Sequence, residues 1–220
     1  MANLCITDMA FVVEHEHEKE LRRFHKELKS IKDKDFNISN HYGKQWLGNV
    51  CMNFGLNWKK YSCRGRLGSI TDIKSSQKGF YFYMTSEDAW CPKYRMWQKI
   101  LEKWKNIQMF LCAEEGGDEI YINTDTSLKY FNSRYLIDLN ISDDKQKNLV
   151  CEGKDQEYKD FIEKTSLSNY FKSFQEAKGF VEKLTCAKIK SRFQLEKALV
   201  SFREKTDVGV YFHEFSTELE

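Results

Sequence analysis

The chain has 220 residues, of which 41% are hydrophobic and 15% aromatic, with 11 Gly and a single Pro. This composition excludes a disordered chain, a collagen-like repeat and a string of small domains on flexible linkers. The 35 Lys and Arg residues nearly balance the 33 Asp and Glu residues, giving a net charge of +2. The net charge therefore predicts no partner by itself, and an electrostatic argument has to rest on local clusters of charge.

The N-terminus and the cysteines indicate a cytoplasmic protein. The sequence contains no run of about 18 apolar residues that would span a bilayer, and polar and acidic residues follow Met1 where a signal peptide would be apolar. The seven cysteines are irregularly spaced and form no C-x-x-C pair, which argues against a disulfide framework and against a zinc or iron–sulfur site. We expect most thiols to lie in the core, and we expect no cofactor, no bound metal and no membrane partner.

The first sixty residues predict a strand, a helix and an irregular segment. The apolar run from Leu4 to Val13 predicts a buried strand. Apolar residues then recur at intervals of three and four opposite a basic face, which predicts an amphipathic helix carrying Leu21, Phe24, Leu28 and Ile31. Residues 33–60 mix aromatic residues with Asn, Gly and Lys, and we expect them to form an ordered insertion.

Further strands and one more helix follow up to residue 123. Arg64 to Ile73 and Lys78 to Thr85 predict the two strands of a hairpin. Pro92 is placed to open a helix, because proline suits a first helical turn. The apolar stripe of this helix is formed by Trp97, Ile100, Leu101 and Trp104. Ile107 to Ala113 and Glu119 to Asn123 predict two short strands around an acidic turn.

The order of these elements predicts an α+β fold with a ferredoxin-like core. It reads β-α-β-β-α-β plus one added strand, an arrangement in which two helices cover one face of an antiparallel sheet and leave the other face open. The core spans residues 1–125, and residues 126–220 form a C-terminal α/β extension with strands at 135–141 and 208–215 and three helices between them. A charged turn is expected around Asp143 to Lys147, and Ser173 with Glu176 predicts the N-terminal cap of a helix. Because no flexible linker separates the two parts, we expect the extension to pack on the core.

Several short stretches of the first half are similar to the motifs of one family. Met1 to Thr7 resembles the motif Met-Pro-Asn-Trp-Cys-Ser-Asn, and Asn53 to Trp58 resembles Asn-Trp-Gly-Thr-Lys-Trp. Asp88 to Lys93 resembles Thr-Ala-Trp-Ser-Pro-Pro, and a Glu-Glu-Gly turn recurs at Glu114 to Gly116. These motifs are those of the YubB-like proteins of phages and plasmids. The resemblance covers residues 1–125 and implies a ferredoxin-like domain, an origin on a mobile element and a bacterial cytoplasm. It implies no catalytic residues.

Three stretches are candidates for a metal, thiol or carboxylate site, and each also has a simpler structural interpretation. Glu14 to Glu18 offers imidazoles and carboxylates that suit zinc or manganese, although a solvated turn at the start of a helix is favoured. Cys91, just ahead of Pro92, could be activated at a helix N-terminus, although packing in the core is favoured. The acidic residues Asp118, Glu119 and Asp125 are candidates for a carboxylate site or for a solvated hairpin.

The segment Lys78 to Thr85 resembles the RNP1 motif of RRM domains, in which outward-facing aromatic residues stack on RNA bases. Phe80 and Phe82 are two residues apart and so share one face of the sheet. Residues 59–105 hold 11 Lys or Arg against four acidic residues, which suits phosphates, an acidic protein surface or simple solvation. The predicted contact residues are Lys59, Lys60, Arg64, Arg66, Lys78, Phe80, Phe82, Lys93 and Arg95.

These observations predict a protein that acts by binding and is not an enzyme. No Walker A loop, dinucleotide fingerprint, H-E-x-x-H or G-x-S-x-G motif occurs in the chain. The leading hypothesis is an anti-defence inhibitor, such as an anti-CRISPR protein that occludes a host protein complex, for instance a nucleic-acid-guided nuclease. The alternative is an RRM-like protein that binds single-stranded RNA or DNA through Phe80 and Phe82. A third hypothesis is an enzyme whose metal or thiol site is gathered from distant residues.

Overall fold

The structure is a computed structural model that describes residues 3–34, 42–140 and 155–219. It is a mixed α+β protein whose chain divides into two compact units, one of residues 1–125 with 218–220 and one of residues 126–217. In these described ranges, every helix is too short or too polar to cross a membrane.

The first unit is built on a six-stranded antiparallel sheet. Its strands are β1 (Leu4–Val13), β2 (Gly65–Ile70), β3 (Lys74–Ser76), β4 (Gly79–Ala89), β5 (Gln108–Glu115) and β6 (Ile120–Asn123). Its helices are α1 (Glu18–Ser30), α2 (Leu47–Asn53) and α3 (Tyr94–Leu101), with 3-10 turns at residues 15–17, 31–33 and 58–60. The strand order is β2-β4-β1-β5-β6, and β3 pairs with β4 beside β2.

The central strand β1 shows why one sheet face is the core of this unit. Alternate side chains point to opposite faces of a strand, and Met9 and Phe11 are fully buried. Phe11 stacks on Phe82 of β4 at 5.1 Å between ring centroids and meets Phe24 of α1 edge to face at 5.1 Å. Trp97 of α3 also meets Phe11 edge to face, with 6.0 Å between ring centroids. The aromatic rings therefore join the sheet to the two helices whose apolar stripes the sequence predicts.

The predicted strand over residues 4–13 and the predicted helix over α1 are confirmed. The predicted hairpin is interrupted, because the register shifts between Leu67 and Ile70 and β2 ends there. Thr71 takes over the pairing: its backbone N–H donates to the Tyr83 carbonyl at 2.9 Å, and its hydroxyl accepts from the Tyr83 N–H at 2.9 Å. Helix α3 begins at Tyr94, two residues after Pro92.

The insertion at 33–60 is ordered in the part that the structure describes. It holds α2 and the 3-10 turn at 58–60, and it contributes Trp46, Leu47, Val50 and Phe54 to the buried core. Residues 35–41 of this insertion lie outside the described residues.

The second unit has a three-stranded antiparallel sheet in the order β8-β7-β9. Its elements are β7 (Tyr135–Asn140), α4 (Asp155–Glu163), β8 (Ser168–Phe171), α5 (Phe174–Thr185), α6 (Arg192–Thr206) and β9 (Gly209–Glu214). The hydroxyl of Ser173 accepts from the Glu176 N–H at 3.3 Å, so the predicted N-terminal cap of α5 is confirmed. Strand β8 was not predicted, and the charged turn expected around 143–147 lies outside the described residues. The packing of this unit on the first stays a prediction.

Candidate functional site: a basic aromatic surface on the first unit

Three aromatic rings lie next to one another beside α2, a buried ring between two accessible ones. Tyr42 is 67% exposed and stacks on Trp46 with 4.7 Å between ring centroids and 20° between the planes. Trp46 is buried and meets Trp58 edge to face at 5.1 Å. The ammonium of Lys59 lies 5.8 Å from the centre of the Trp58 ring, within the range of a cation–π contact. The exposed Tyr42 ring is therefore supported by Trp46, and the cation lies over the third ring, Trp58.

Local sequence explains why these rings hold their positions. A Cβ atom on Gly48 would come within 2.3 Å of the Trp46 ring, so the absence of a side chain lets that ring lie on the first turn of α2. The Asn49 side-chain amide donates to the carbonyls of Gly43 at 3.1 Å and Lys44 at 3.0 Å, which fixes the chain next to Tyr42. The Asn57 carboxamide oxygen accepts from the Lys59 N–H at 3.1 Å and holds the turn at 58–60.

The chain around these rings carries positive charge alone. Residues 42–71 contain five Lys and Arg residues and no Asp or Glu, and the five basic residues are exposed. Arg66 is paired with Glu87 of β4 by two hydrogen bonds of 2.8 Å. We use the name basic aromatic surface for the remaining basic residues and the two accessible rings, namely Tyr42, Lys44, Trp58, Lys59, Lys60 and Arg64.

The C-terminal part of this surface is tied to the sheet at Gly65. Gly65 lies opposite Asp88 in the β2–β4 pairing, and a Cβ atom on it would lie 2.6 Å from the Glu87 carbonyl oxygen. The Ala89 N–H donates to the Arg64 carbonyl at 2.9 Å. The backbone that carries Arg64 is therefore held directly against the end of β4.

A buried polar cluster lies under this junction. Asp88 is fully buried, and one of its carboxylate oxygens accepts from the hydroxyls of Thr7 at 2.8 Å and Ser86 at 3.0 Å. Burial disfavours the charged carboxylate and raises the pKa of Asp88 to about 6, against the opposing effects of Thr7, Ser86 and Lys93.

Lys93 is a second charged group near this cluster. It is 7% exposed, and its ammonium donates to the Ala89 carbonyl at 2.7 Å. The same ammonium lies 3.9 Å from the Cys91 sulfur.

Cys5 of β1 lies opposite Asp88. Burial raises the pKa of the Cys5 thiol to about 12, so this thiol stays protonated at neutral pH.

Two further thiols lie close together beneath the turn at 58–60. The sulfur atoms of Cys51 in α2 and Cys63 are 3.4 Å apart, and both side chains are buried. The Cys63 thiol also donates to the Trp58 carbonyl at 3.6 Å. The hydrogen bond from Cys51, with the charge of Lys93, lowers the pKa of Cys63, and the same hydrogen bond and burial raise the pKa of Cys51.

Three of the stretches that resemble family motifs meet at this end of the sheet. Cys5 at the start of β1 lies opposite Asp88 near the end of β4. The Trp90 N–H donates to the Asn3 carbonyl at 3.0 Å. Ile6 of β1 lies opposite Glu114 near the end of β5, and the Glu115 carboxylate accepts from the Gly117 N–H at 2.8 Å and closes the glycine turn. The fourth stretch, Asn53 to Trp58, carries the Trp58 ring of the basic aromatic surface.

The seven basic residues among the predicted contact residues divide into three groups. Lys59, Lys60 and Arg64 belong to the basic aromatic surface, and Arg66 lies beside it in its pair with Glu87. Lys78 and Arg95 are exposed elsewhere, in the turn before β4 and on α3. The expectation that Lys93 is a surface contact is wrong, because Lys93 is buried against the Ala89 carbonyl.

The expectation that Phe82 faces outward is also wrong. Phe82 is fully buried between Phe11 and Phe24, and Phe80 on the same face packs partly buried against the core. The aromatic residues on the opposite face of β4 are Tyr81 and Tyr83, whose rings meet edge to face at 5.6 Å. A signal for this orientation is present in the sequence, since Tyr and Thr alternate with Phe and Met along this strand.

The sequence-based candidates for chemistry do not assemble into a site. His15 bonds to the Gln77 carbonyl at 3.2 Å, whereas His17 contacts Glu16 at 3.2 Å, so the two imidazoles have separate partners. Among the described residues, no group of three or more His, Cys, Asp or Glu could hold a metal ion. Asp118 lies at the turn before β6, and Asp125 is fully buried beyond β6.

Four of the cysteines that the structure describes follow the core expectation. Cys5, Cys51, Cys63 and Cys112 are buried free thiols. The expectation of core packing is wrong for Cys91, which is exposed just before α3. Cys186, at the C-terminal end of α5, is disulfide-bonded.

An open groove lies along α1, opposite the end of α2. It has a volume of about 710 Å³ and is lined by acidic and basic side chains together. Glu20 accepts from the Asn106 amide at 2.6 Å, Arg23 lies over the Trp104 ring at 5.6 Å, and Lys103 donates to the Phe54 carbonyl at 3.0 Å. Because these charged groups already have partners and carry opposite signs, the groove favours no class of ligand.

Tyr42, Lys44 and Trp46 were missed as site residues. The signal that points to them is the stretch of residues 36–71, which lacks any Asp or Glu and carries aromatic residues at intervals. No family model matches the chain, and no curated protein is significantly similar to it.

Proposed function

We propose that the protein acts by binding single-stranded nucleic acid through the basic aromatic surface, without catalysis. The observation that carries the proposal is the exposed Tyr42 ring stacked on the buried Trp46. Every nucleobase presents a π-face, so a supported, exposed ring is a general platform for stacking. A ring held in place from below loses little conformational freedom when a base stacks on it.

The surrounding charge supports the same ligand class. Lys44, Lys59, Lys60 and Arg64 are exposed on a stretch without acidic residues, and such groups release counterions when they neutralise phosphates. Single strands suit this arrangement better than duplexes, because the bases of a duplex are already stacked on one another and are not free to cover Tyr42.

The fold and the origin of the chain belong to the same proposal. The strand order β2-β4-β1-β5, all antiparallel, supports a ferredoxin-like core with β6 as the added strand. The meeting of three motif stretches at one end of the sheet supports a relation to the YubB-like proteins of phages and plasmids. An anti-defence role then acts through the nucleic acid of a host complex. The alternative is a protein-directed inhibitor, such as an anti-CRISPR protein that contacts the nuclease itself. The two differ in whether the protein binds nucleic acid directly.

The test is fluorescence anisotropy with labelled 20-nucleotide dT and U oligomers at several salt concentrations. The wild-type protein is expected to bind, with an affinity that falls as salt rises. Tyr42→Ala is expected to cost about 1 to 3 kcal/mol of binding free energy, the value of one stacked base. The control Tyr211→Ala removes a tyrosine that is 46% exposed in the second unit and is expected to leave binding unchanged.

A charge-reversal pair completes the test. Lys59→Glu with Lys60→Glu is expected to weaken binding and to reduce its salt dependence. The matched control makes the same change in charge at the exposed Lys26 and Lys197. Equal weakening by both pairs, or no binding of either oligomer at 50 mM salt, would contradict the proposal. If protein captured from a bacterial lysate survives nuclease treatment on the bait while oligomers fail to bind, the protein-directed inhibitor takes its place.

A further inference from the structure

We propose that Cys51 and Cys63 form a reversible disulfide that controls the basic aromatic surface. The inference rests on the proposed function only for its consequence, which is a change in nucleic-acid affinity. The disulfide itself rests on the geometry of the two thiols.

The two sulfur atoms are in position to react. They are 3.4 Å apart, and the bond length of a disulfide is about 2.05 Å, so the sulfurs have to approach by little more than one ångström. Both side chains are buried, with Cys51 at 0% and Cys63 at 4% exposure, so neither thiol has to leave the core to meet the other.

The thiol pair closes a loop that carries the proposed binding residues. The segment between Cys51 and Cys63 includes the turn at 58–60 with Trp58, Lys59 and Lys60. The reduced Cys63 thiol donates to the Trp58 carbonyl at 3.6 Å. A disulfide sulfur has no proton to donate, so oxidation removes this contact and moves the backbone under the Trp58 ring.

The environment also divides the roles between the two sulfurs. The hydrogen bond from Cys51 and the positive charge of Lys93 lower the pKa of Cys63 against the effect of burial, which makes Cys63 the thiolate that attacks an oxidant. Cys51, whose pKa is raised, is the thiol that resolves the intermediate.

The reaction with hydrogen peroxide balances in two steps. The Cys63 thiolate attacks one peroxide oxygen, the O–O bond breaks, and a sulfenic acid forms while hydroxide leaves and takes a proton to become water. The Cys51 sulfur then attacks the Cys63 sulfur, the S–S bond forms, the S–O bond breaks, and the hydroxyl leaves with the Cys51 proton as a second water. Two thiols lose two electrons, and one peroxide is reduced to two waters. A dithiol such as dithiothreitol reverses the bond by exchange.

The first experiment maps the bond. Reduced full-length protein is treated with one equivalent of hydrogen peroxide, alkylated under denaturing conditions and digested for mass spectrometry. A peptide linking Cys51 to Cys63, lost again on reduction, is the expected result for the wild type and for Cys91→Ser, which lacks the exposed thiol. Oxidation of Cys91 in the wild type, with Cys51 and Cys63 still alkylated, would overturn the proposal.

The second experiment compares the reduced and the disulfide-bonded protein in the oligomer assay. Oxidation is expected to weaken binding about fivefold, the factor that corresponds to one weak base-stacking contact, and reduction is expected to restore it. The same change is expected to be absent in Cys51→Ser and in Cys63→Ser. Equal affinity of the two forms overturns the control of the surface even where the linked peptide is found. If the reduced protein binds no oligomer, the proposed function is overturned instead. Amide hydrogen exchange of residues 58–62, compared between the reduced and the disulfide-bonded protein, then decides whether the bond constrains the turn.

Discussion

The Thr7 hydroxyl donates a 2.8 Å hydrogen bond to the Asp88 carboxylate, and both side chains are fully buried. The two residues are 81 positions apart in the chain and lie on the adjacent strands β1 and β4. Asp88 also lies opposite Gly65, so this bond joins the central strand to the backbone that presents Arg64. The polar cluster therefore positions the edge of the basic aromatic surface.

Asp88 makes the stability of the protein depend on pH. Its folded-state pKa, about 6, lies above the ordinary value of 3.8, so the folded protein binds the proton more tightly than the unfolded chain. Ionisation of Asp88 consequently opposes folding, with an effect that is absent below pH 4 and complete above pH 7. About two pKa units correspond to about 3 kcal/mol.

Asp88→Asn tests this effect, because the amide cannot ionise. We expect the free energy of unfolding of the variant, relative to the wild type, to rise by about 3 kcal/mol between pH 4 and pH 8 in urea titrations. Asp72→Asn is the control of opposite sign, since the hydrogen bond and charge of Lys29 lower the pKa of Asp72 below 3.8. Its stability relative to the wild type should fall as the pH rises towards 4 and should stay level between pH 4 and pH 8. A pH-independent difference for Asp88→Asn would refute the role of its burial.

Phe82→Ala separates the observed orientation of β4 from the RNP1-like hypothesis. Because Phe82 is fully buried among aromatic rings, we expect the variant to lose about 3 to 5 kcal/mol of unfolding free energy. Tyr42→Ala, at a side chain that is 67% exposed, should change stability by no more than about 0.5 kcal/mol. Thermal and urea denaturation measure both. A small loss for Phe82→Ala would mean that this ring lies on the surface.

Gly48→Ala tests the contact that holds the Trp46 ring. Alanine normally stabilises a helix by about 1 kcal/mol relative to glycine, but a Cβ atom here would lie 2.3 Å from the ring. We therefore expect Gly48→Ala to destabilise the protein and to weaken oligomer binding by displacing Trp46.

The matched control is Gly179→Ala in α5, where a Cβ atom would meet nothing within 4 Å. This variant should gain up to about 1 kcal/mol of stability and leave binding unchanged. Equal stabilisation by the two substitutions, measured by urea denaturation, would show that Trp46 does not rest on Gly48.

The sequence predicts most elements of the fold because their hydrophobic periods are strong. The apolar run from Leu4 to Val13 locates β1, and apolar residues at helical spacing locate α1. Ser173, as a capping residue, locates the start of α5. Strand β8 escapes prediction because it has four residues and begins with Ser168 and Asn169, which are poor strand formers. The break after Ile70 depends on the Thr71 hydroxyl taking a backbone partner, which no local pattern announces.

The candidate site is only partly predictable, because its parts are joined by tertiary contacts. The basic residues Lys59, Lys60 and Arg64 stand out by charge alone. The stacking of Tyr42 on Trp46 and the approach of Cys51 to Cys63 depend on how α2 packs against the core. A period of two places Phe80 and Phe82 on one face, and the RNP1-like prediction took that face as the open one. The Tyr and Thr side chains on the other face of the strand indicate the orientation that the structure has.

Photo-cross-linking to a 20-nucleotide oligomer that carries 4-thiouridine at each third position is the most direct test of the proposed surface. Mass spectrometry of the digested complex identifies which residues touch the bases. Adducts on Tyr42 and Trp58, lost in competition with unlabelled oligomer, are the predicted result. Specific adducts confined to residues outside the basic aromatic surface would contradict the account.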